Sequence, residues 1–254
     1  MRLAGAGLSA AVVIGAGGAM GTAIAEEIVG RYDTTVLVGR RLAPLRALAA
    51  TLQRQSGRSP LTLVADVRDI DRIVAGLRGH GVWDDLELVV NTAGITHYGT
   101  HDIDESRLRE MIDVNLIAPI ALHNAILPLF LARDRGTSIH VLSMSALKPR
   151  AHMGGYAATQ AGFRGYLTAV QEGLGASYVR ITSINPGFVN TPLTTSVVTD
   201  VRPQDMIQLS DVVATVRLIL DAHPRVRFSE IPLECTAQIN RVDPPLIRPG
   251  FAGG

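Results

Sequence analysis

The sequence predicts a single-domain α/β protein built on a doubly wound parallel sheet. Three observations carry that prediction. Short runs rich in Val, Ile and Leu alternate with stretches of helical period along most of the chain, the pattern of strand–helix–strand units. The first such run, Ala10–Ile14, is closed by a glycine-rich loop, GAGGAMG, and then by a helical pattern. Together these make a phosphate site of the Rossmann type, because glycines let backbone approach an anion and a helix N-terminus favours negative charge. Finally, the apolar residues Ile139, Val141 and Leu142 end at Ser143, and Tyr156 opens an Ala-rich helical run thirteen positions later. That spacing lets two hydroxyls converge at the carboxyl end of a strand, where open α/β sheets bind ligands.

Composition agrees with one domain over residues 1–254. The chain has 254 residues, 47% hydrophobic and 19% charged, enough to bury a large α/β core. A net charge of +1 supplies no attraction for nucleic acid or an acidic membrane, so neither is expected as a partner. The single cysteine, Cys235, excludes an internal disulfide and reads as a small buried hydrophobe. No metal-ligating cluster is expected. The opening MRLAGAGLSAAVVIGAGGAMG is apolar but broken by glycines, with no basic region beyond Arg2. It reads as strand and turn, not as a signal or a membrane span. No other run reads as long and apolar enough to cross a bilayer, and the cytoplasm is the expected location. Neither repeats nor linkers interrupt the pattern.

In the first half, Ile24 and Ile28 stand one turn apart on the helix after the glycine loop, with Glu26 and Glu27 on its polar side. The loop offers Gly15, Gly17, Ala19, Met20 and Gly21 to a phosphate. Thr34–Val38 is the second strand and runs into Gly39-Arg40-Arg41. An acid at this strand end holds the free ribose hydroxyls of NAD; an arginine suits the 2′-phosphate of NADP. With Gly39 and Arg40 at these positions, NADP(H) is expected in preference to NAD(H). Leu42, Leu45, Leu48, Ala49 and Leu52 keep helical period. Leu61–Ala65 is a strand ending at Asp66-Val67, Asp69–Leu77 a helix, and Leu86–Val90 a strand running into Asn91-Thr92-Ala93-Gly94. Ser106–Leu131 reads as a long helical region interrupted by Pro119 and ending near Pro128.

In the second half, the Ser143 strand and the Tyr156 helix are followed by an apolar strand entering Ser183–Thr191. Pro192–Leu209 has no strong period and reads as a loop or short irregular helix. Ser210 and Asp211 read as the cap of a last helix, Val212–Asp221. Ile231–Thr236 reads as a final strand, and the Pro- and Gly-containing tail from Asn240 as an extended arm.

These motifs resemble those of the short-chain dehydrogenase/reductase family over roughly residues 10–220. The match rests on Gly15 to Gly21, Asn91-Thr92-Ala93-Gly94, Val114-Asn115, Ser143, Tyr156 and the register Pro186-Gly187-x-Val189-x-Thr191. The resemblance implies roles for these residues. Ser143 binds the substrate oxygen, Tyr156 exchanges a proton with it, and Asn115 bends its helix and holds a relay water. Asp66 contacts the adenine amino group with Val67 beside the ring. Asn91, Ala93 and Gly94 support the sheet and pass close to the cofactor ribose. Pro186, Gly187, Val189 and Thr191 cover the nicotinamide, Val189 through its amide and Thr191 through its hydroxyl. Arg40 matches the position that selects NADP. The resemblance also implies a homodimer or homotetramer, paired through the long helix before Pro128 and the helix of Tyr156.

Two departures stand out. Ala19 replaces the family's middle glycine. Gln160 replaces the lysine that stands four residues after the tyrosine. A free tyrosine titrates near about 10, and the family's lysine lowers that with a nearby charge. Gln160 can hydrogen-bond the nicotinamide ribose but carries no charge. Reduction of a carbonyl needs Tyr156 protonated, so it suffers less from this change than alcohol oxidation does. Two readings follow: an NADP(H)-dependent reductase of a small carbonyl substrate, or a protein that binds the dinucleotide without net redox chemistry. Lys148 and Arg150, in the loop before Tyr156, could fold over the site as substitute cations, but read as solvated. His97, Tyr98, His152 and Met153 flank the substrate region and receive no catalytic role.

Overall fold

The computed structural model describes residues 8–195, 198 and 201–239; the expected C-terminal arm lies outside them. Seven parallel strands form one sheet in the order β3-β2-β1-β4-β5-β6-β7. They are β1 (Ala10–Ile14), β2 (Thr34–Gly39), β3 (Leu61–Val64), β4 (Leu86–Asn91), β5 (Gly136–Val141), β6 (Val179–Pro186) and β7 (Glu230–Leu233). The order reverses between β1 and β4, which opens a crevice at the carboxyl ends of those strands.

Strand alternation explains the two cores. Along β1, Ala10, Val12 and Ile14 face one layer while Ala11 and Val13 face the other. The first layer is completed by α3 (Ile70–Gly79), α5 (Ala118–Ala132) and α6 (Gly154–Gly173), through residues such as Ile73, Leu122, Phe130 and Phe163. The second is completed by α1 (Ala19–Ile28), α2 (Leu42–Ser56) and α8 (Leu209–Asp221), through Ile24, Ile28, Leu45, Leu52 and Val216. Being buried on both faces, β1 reads as a continuous apolar run, as parallel strands do.

Several boundaries differ from the sequence expectation. The long helical region is broken not at Pro119 but at a π-helical turn, Asp113–Ile117, which joins α4 (Glu105–Ile112) to α5 and contains Asn115, where the resemblance implies a bend. Pro119 is the second residue of α5, directly after that turn. The helix then passes Pro128 and ends only at Ala132. Glu105–Ala132 is also long and apolar enough, by length and composition alone, to cross a membrane, which corrects the expectation that no such run exists. In this fold its Val114, Leu122, Ile126 and Phe130 are buried in the first core layer. Helix α8 begins earlier than expected: Gln208 is its N-cap, and the Gln208 N–H donates to Asp211 Oδ2 at 2.8 Å. Pro192–Thr195 forms a single helical turn, α7, and Pro203–Asp205 a 3-10 turn. Strand β7 stops at Leu233, and Thr236 opens a short helix, α9 (Thr236–Ile239).

Candidate active site

The glycine loop wraps the carboxyl end of β1. Gly15 has φ +81°, and a Cβ there would stand 2.7 Å from Thr92 Oγ1 and 2.8 Å from the Ala93 nitrogen. A Cβ on Gly21 would lie 2.3 Å from the Gly15 carbonyl oxygen. Both glycines are therefore required by the fold of the loop itself. Gly17 is different: the nearest atom to a Cβ there is Pro44 Cβ at 3.6 Å. Gly18 caps α1 without a side-chain hydrogen bond, and no acid stands in the first turn. Ala19 is the first residue of α1. The loop thus presents uncrowded backbone at a helix N-terminus, the surroundings a diphosphate needs.

Two adjoining cavities run along the strand ends. The first, about 250 Å³, is lined by Gly15, Gly17, Arg40, Asp66 and Val67, among others. Arg40 is exposed at the end of β2. Asp66 is held by Arg68, whose Nε and Nη2 each donate to its carboxylate at 2.9 Å. That pairing and the neighbouring backbone N–H hold the Asp66 carboxyl down at about 2. The second cavity, about 520 Å³, is lined by Ala19, Met20, Gly21, Ser143, Tyr156 and Gln160. Pro186, Gly187, Val189 and Thr191 line it from the β6 side. Ala93 and Gly94 border both spaces.

Ser143 and Tyr156 line the same cavity, as the resemblance implies. Ser143 follows β5 and caps a 3-10 turn, Met144–Ala146, where its Oγ accepts from the Ser145 N–H at 3.1 Å. Its hydroxyl shares this cavity with the Tyr156 phenol. Burial pushes the phenol above its ordinary value, and Ser143 offsets that only in part. Gln160 follows one turn later on α6, is buried at 6% exposure, and its Oε1 has no hydrogen-bond partner. A buried carbonyl oxygen left in that state costs free energy until a donor reaches it. Ribose hydroxyls are such donors, so the residues present fit a dinucleotide along this crevice.

Two predicted residues lie behind the cavities. The Asn115 side chain accepts from the Ile95 N–H at 2.9 Å and donates to the Ile95 carbonyl at 2.8 Å and to Thr159 Oγ1 at 3.2 Å. It ties the π-helical turn to the segment after β4 and to α6. Asn91, at the end of β4, accepts from the Ala93 N–H at 3.0 Å. On the β6 side, Asn190 and Phe188 make the backbone bonds to Ile207, so the Val189 amide is not spent on them. Thr191 Oγ1 accepts from the Thr194 N–H at 3.3 Å.

The structure also places residues to which sequence reasoning assigns no role. Thr92 borders both cavities, its hydroxyl donating to the Ile14 carbonyl at 2.9 Å. Lys148 and Arg150, read from sequence as solvated, both line the larger cavity, with Phe188 and Tyr98. Lys148 Nζ pairs with Glu234 Oε1 at 2.6 Å. The Arg150 guanidinium lies 5.4 Å from the centre of the Phe188 ring. Met153 also lines the cavity, whereas His97 pairs with Glu110 at 3.0 Å. Arg164 is engaged with Glu230 of β7, away from the phenol. Among the described residues no group of three metal-ligating side chains forms.

Comparison with known proteins agrees with this geometry. The short chain dehydrogenase family model matches residues 9–202. An uncharacterised oxidoreductase of Staphylococcus epidermidis is 29% identical over 231 residues, covering 88% of this chain and 95% of that one. Among solved structures, a metagenomic short-chain oxidoreductase in complex with NADP is 27% identical, with a TM-score of 0.71, covering 89% of this chain and 97% of that one. An alcohol dehydrogenase from the archaeon Thermococcus sibiricus, complexed with 5-hydroxy-NADP, superposes with a TM-score of 0.80 at 24% identity, covering 93% and 100%. A match over most of the chain, on a sheet of this order with this glycine loop and this serine–tyrosine pair, leads to one conclusion: the chain belongs to the short-chain dehydrogenase family of oxidoreductases.

Proposed function

We propose that this protein is an NADPH-dependent carbonyl reductase in which Tyr156 donates the proton. The observation that carries this reading is the phenol itself: it shares its cavity with Ser143, is raised by burial, and has the uncharged Gln160 in place of a cation. A phenol above its ordinary value stays protonated at neutral pH, which suits an acid and not a base.

When bound, NADPH supplies the hydride. Gly17, Gly18 and the first turn of α1 hold its diphosphate, Arg40 its 2′-phosphate, and Gln160 Oε1 accepts from its nicotinamide ribose. Ser143 donates a hydrogen bond to the substrate carbonyl oxygen. As negative charge builds on that oxygen, Tyr156 passes it the phenolic proton. Asn115 acts at a distance, by holding the Ile95 segment and α6 in register. The preference for NADP(H) is supported by Arg40 at the rim of the first cavity and by Gly39 where an acid would be needed for NAD.

The second reading, cofactor binding without redox turnover, rests on the same Gln160. The two are separated by measuring NADPH consumption against a panel of carbonyls beside a cofactor titration. Turnover supports the reductase; tight binding with no turnover favours non-redox use. We further propose a homodimer or homotetramer in the cytoplasm, pairing through α5 and α6. The exposed Ile117 and Leu131 flanking and ending α5 support that face.

A further inference from the structure

Among the described residues lining the larger cavity, two side-chain atoms are buried without a hydrogen-bond partner, Gln160 Oε1 and Thr96 Oγ1. The first is answered by the nicotinamide ribose of the proposed cofactor. The second takes no part in the proposed reduction. A buried hydroxyl without a partner costs free energy, and a ligand that supplies the partner recovers it. Thr96 lies on the segment after β4, and β4 is the neighbour of β5 in the sheet. Its wall therefore adjoins the one that carries Ser143.

The backbone at Thr96 is fixed relative to the reacting pair. On one side, the N–H and the carbonyl of Ile95 are both bonded to the Asn115 side chain, at 2.9 and 2.8 Å. On the other, the segment is joined to the start of α6. The Gly99 N–H donates to the His152 carbonyl at 2.8 Å, and the Gly155 N–H to the Gly99 carbonyl at 3.2 Å. The Gly154 N–H donates to Thr100 Oγ1 at 3.0 Å. Tyr156 is the next residue after Gly155. Against this rigid frame the Thr96 hydroxyl alone is unbound. No bond holds it in its present rotamer, and one staggered step about χ1 exchanges it with the methyl group. Ile95, Met144, Met153 and Val198 give the cavity apolar walls as well, and a hydrogen bond made in such surroundings is stronger than one in water.

We propose that Thr96 is a specificity residue for a hydroxyl group on the substrate, so that the protein acts on hydroxy ketones whose hydroxyl stands on the first or second carbon beyond the carbonyl. The substrate is then held at two points: its carbonyl oxygen by Ser143 and Tyr156, its hydroxyl by Thr96. A site built to hydrogen-bond a substrate hydroxyl rejects the analogue that lacks it, because its own polar group is left unpaired. The assignment rests on the reductase reading for turnover alone, since recognition of the hydroxyl needs no reaction.

The test has two arms. In the first, NADPH oxidation is followed with two matched pairs of ketones, 2-hydroxyacetophenone with propiophenone and 3-hydroxypropiophenone with butyrophenone. Each pair exchanges a hydroxyl for a methyl group. The proteins are the wild type, Thr96→Val, which keeps the shape and removes the hydroxyl, and Thr96→Ser, which keeps the hydroxyl. For at least one pair, Thr96→Val should lower the hydroxy-to-alkyl ratio in kcat/KM by roughly tenfold, chiefly through the hydroxy ketone, and Thr96→Ser should keep it. Comparing the ratio between proteins cancels the intrinsic reactivity of each ketone. Thr96→Val should also be at least as stable to heat as the wild type, since it removes an unpaired hydroxyl. In the second arm, 1-phenyl-1,2-ethanediol and 1-phenyl-1,3-propanediol are titrated calorimetrically in the presence of NADPH beside 1-phenyl-1-propanol and 1-phenyl-1-butanol. At least one diol should bind the wild type more tightly than its alkyl partner, and Thr96→Val should erase that advantage. Ratios unchanged by Thr96→Val in both pairs overturn the proposal, as does a diol advantage that survives in the variant, or the absence of both turnover and diol binding. A Thr96-dependent diol advantage with no turnover of any ketone upholds this subsite and rejects the reductase reading instead. Turnover of the alkyl ketones with ratios unchanged by the variant does the reverse.

Discussion

Gln160 lies one helical turn after Tyr156 on α6, and both face the same cavity, where the Gln160 carbonyl oxygen has no hydrogen-bond partner. Residues four apart on a helix are neighbours, so a cation at 160 would act on the phenol directly. The glutamine removes that action and leaves the phenol under the control of burial and Ser143. The chemistry proposed for the protein follows from this pair.

Arg40→Ala should lower NADPH affinity by roughly ten- to hundredfold, the loss of a charge-assisted hydrogen bond to phosphate. NADH affinity should change little, because no protein carboxylate stands at Gly39 to hold the free ribose hydroxyls. Dissociation constants from fluorescence titration at fixed salt decide the matter. Equal affinities for the two cofactors in the unmodified protein would refute the assignment of Arg40.

Two glycine substitutions should separate fold from binding. Gly21→Ala forces a Cβ to 2.3 Å from the Gly15 carbonyl oxygen, so it should destabilise the protein by about 1–3 kcal/mol, as overpacking does. Gly17→Ala meets nothing nearer than 3.6 Å and should leave the thermal midpoint nearly unchanged while weakening cofactor binding. Chemical denaturation beside cofactor titration reads both effects. A Gly17→Ala protein that binds NADPH normally would show that the diphosphate takes another path.

Acid should destabilise the fold through His123 and His140. His123 Nδ1 is hydrogen-bonded to Tyr166 of α6 at 3.1 Å, and His140 of β5 to Ser138 at 2.9 Å, with their rings 5.6 Å apart. Burial lowers His123 to about 4 and His140 well below its ordinary value. Both are neutral in the folded chain, so between about 4 and 6.5 the unfolded chain binds more protons. Stability from these groups is therefore complete above about 6.5 and falls as pH drops towards about 4. His123 alone should cost about 1.5 kcal/mol between pH 6.5 and pH 5. Denaturation midpoints over that range test it. A His123→Gln protein with the same pH slope as wild type would exclude this residue as a source.

The proposed assembly has its own test. Sedimentation at micromolar concentration should show a dimer or tetramer, and Leu131→Glu on the exposed end of α5 should weaken it. A monomer in the unmodified protein would reject the pairing of α5 and α6.

Much of this fold is legible in the sequence because its signals are local. Buried strands such as β1 declare themselves as apolar runs, and Gly15 and Gly21 as positions where the loop admits no Cβ. The meeting of Ser143 and Tyr156 is legible through the resemblance, which pairs a serine after a strand with a tyrosine opening the next helix. What escapes depends on partners far apart in the chain. Arg150 acquires its place only when Phe188, beyond β6, comes to lie beneath it. The break in the long helix is legible only through the resemblance, which puts a bend at Asn115; pattern alone points to Pro119, because the π-helical turn at Asp113–Ile117 is secured by Asn115 bonding Ile95, twenty residues away. Helix α8 starts at an unfamiliar cap, Gln208, whose bond with Asp211 has no strong compositional mark.

The most direct test is the pH dependence of carbonyl reduction in the wild type, Gln160→Lys and Tyr156→Phe. The proton donor must be protonated, so reduction should stay level with rising pH and fall only as the phenol titrates, above about 10 in the wild type. Gln160→Lys should move that fall to lower pH by at least about one unit, worth about 1.4 kcal/mol, and should raise alcohol oxidation more than reduction. Tyr156→Phe should abolish both directions. Superimposable profiles for the wild type and the lysine variant, together with an active phenylalanine variant, would contradict Tyr156 as the proton donor.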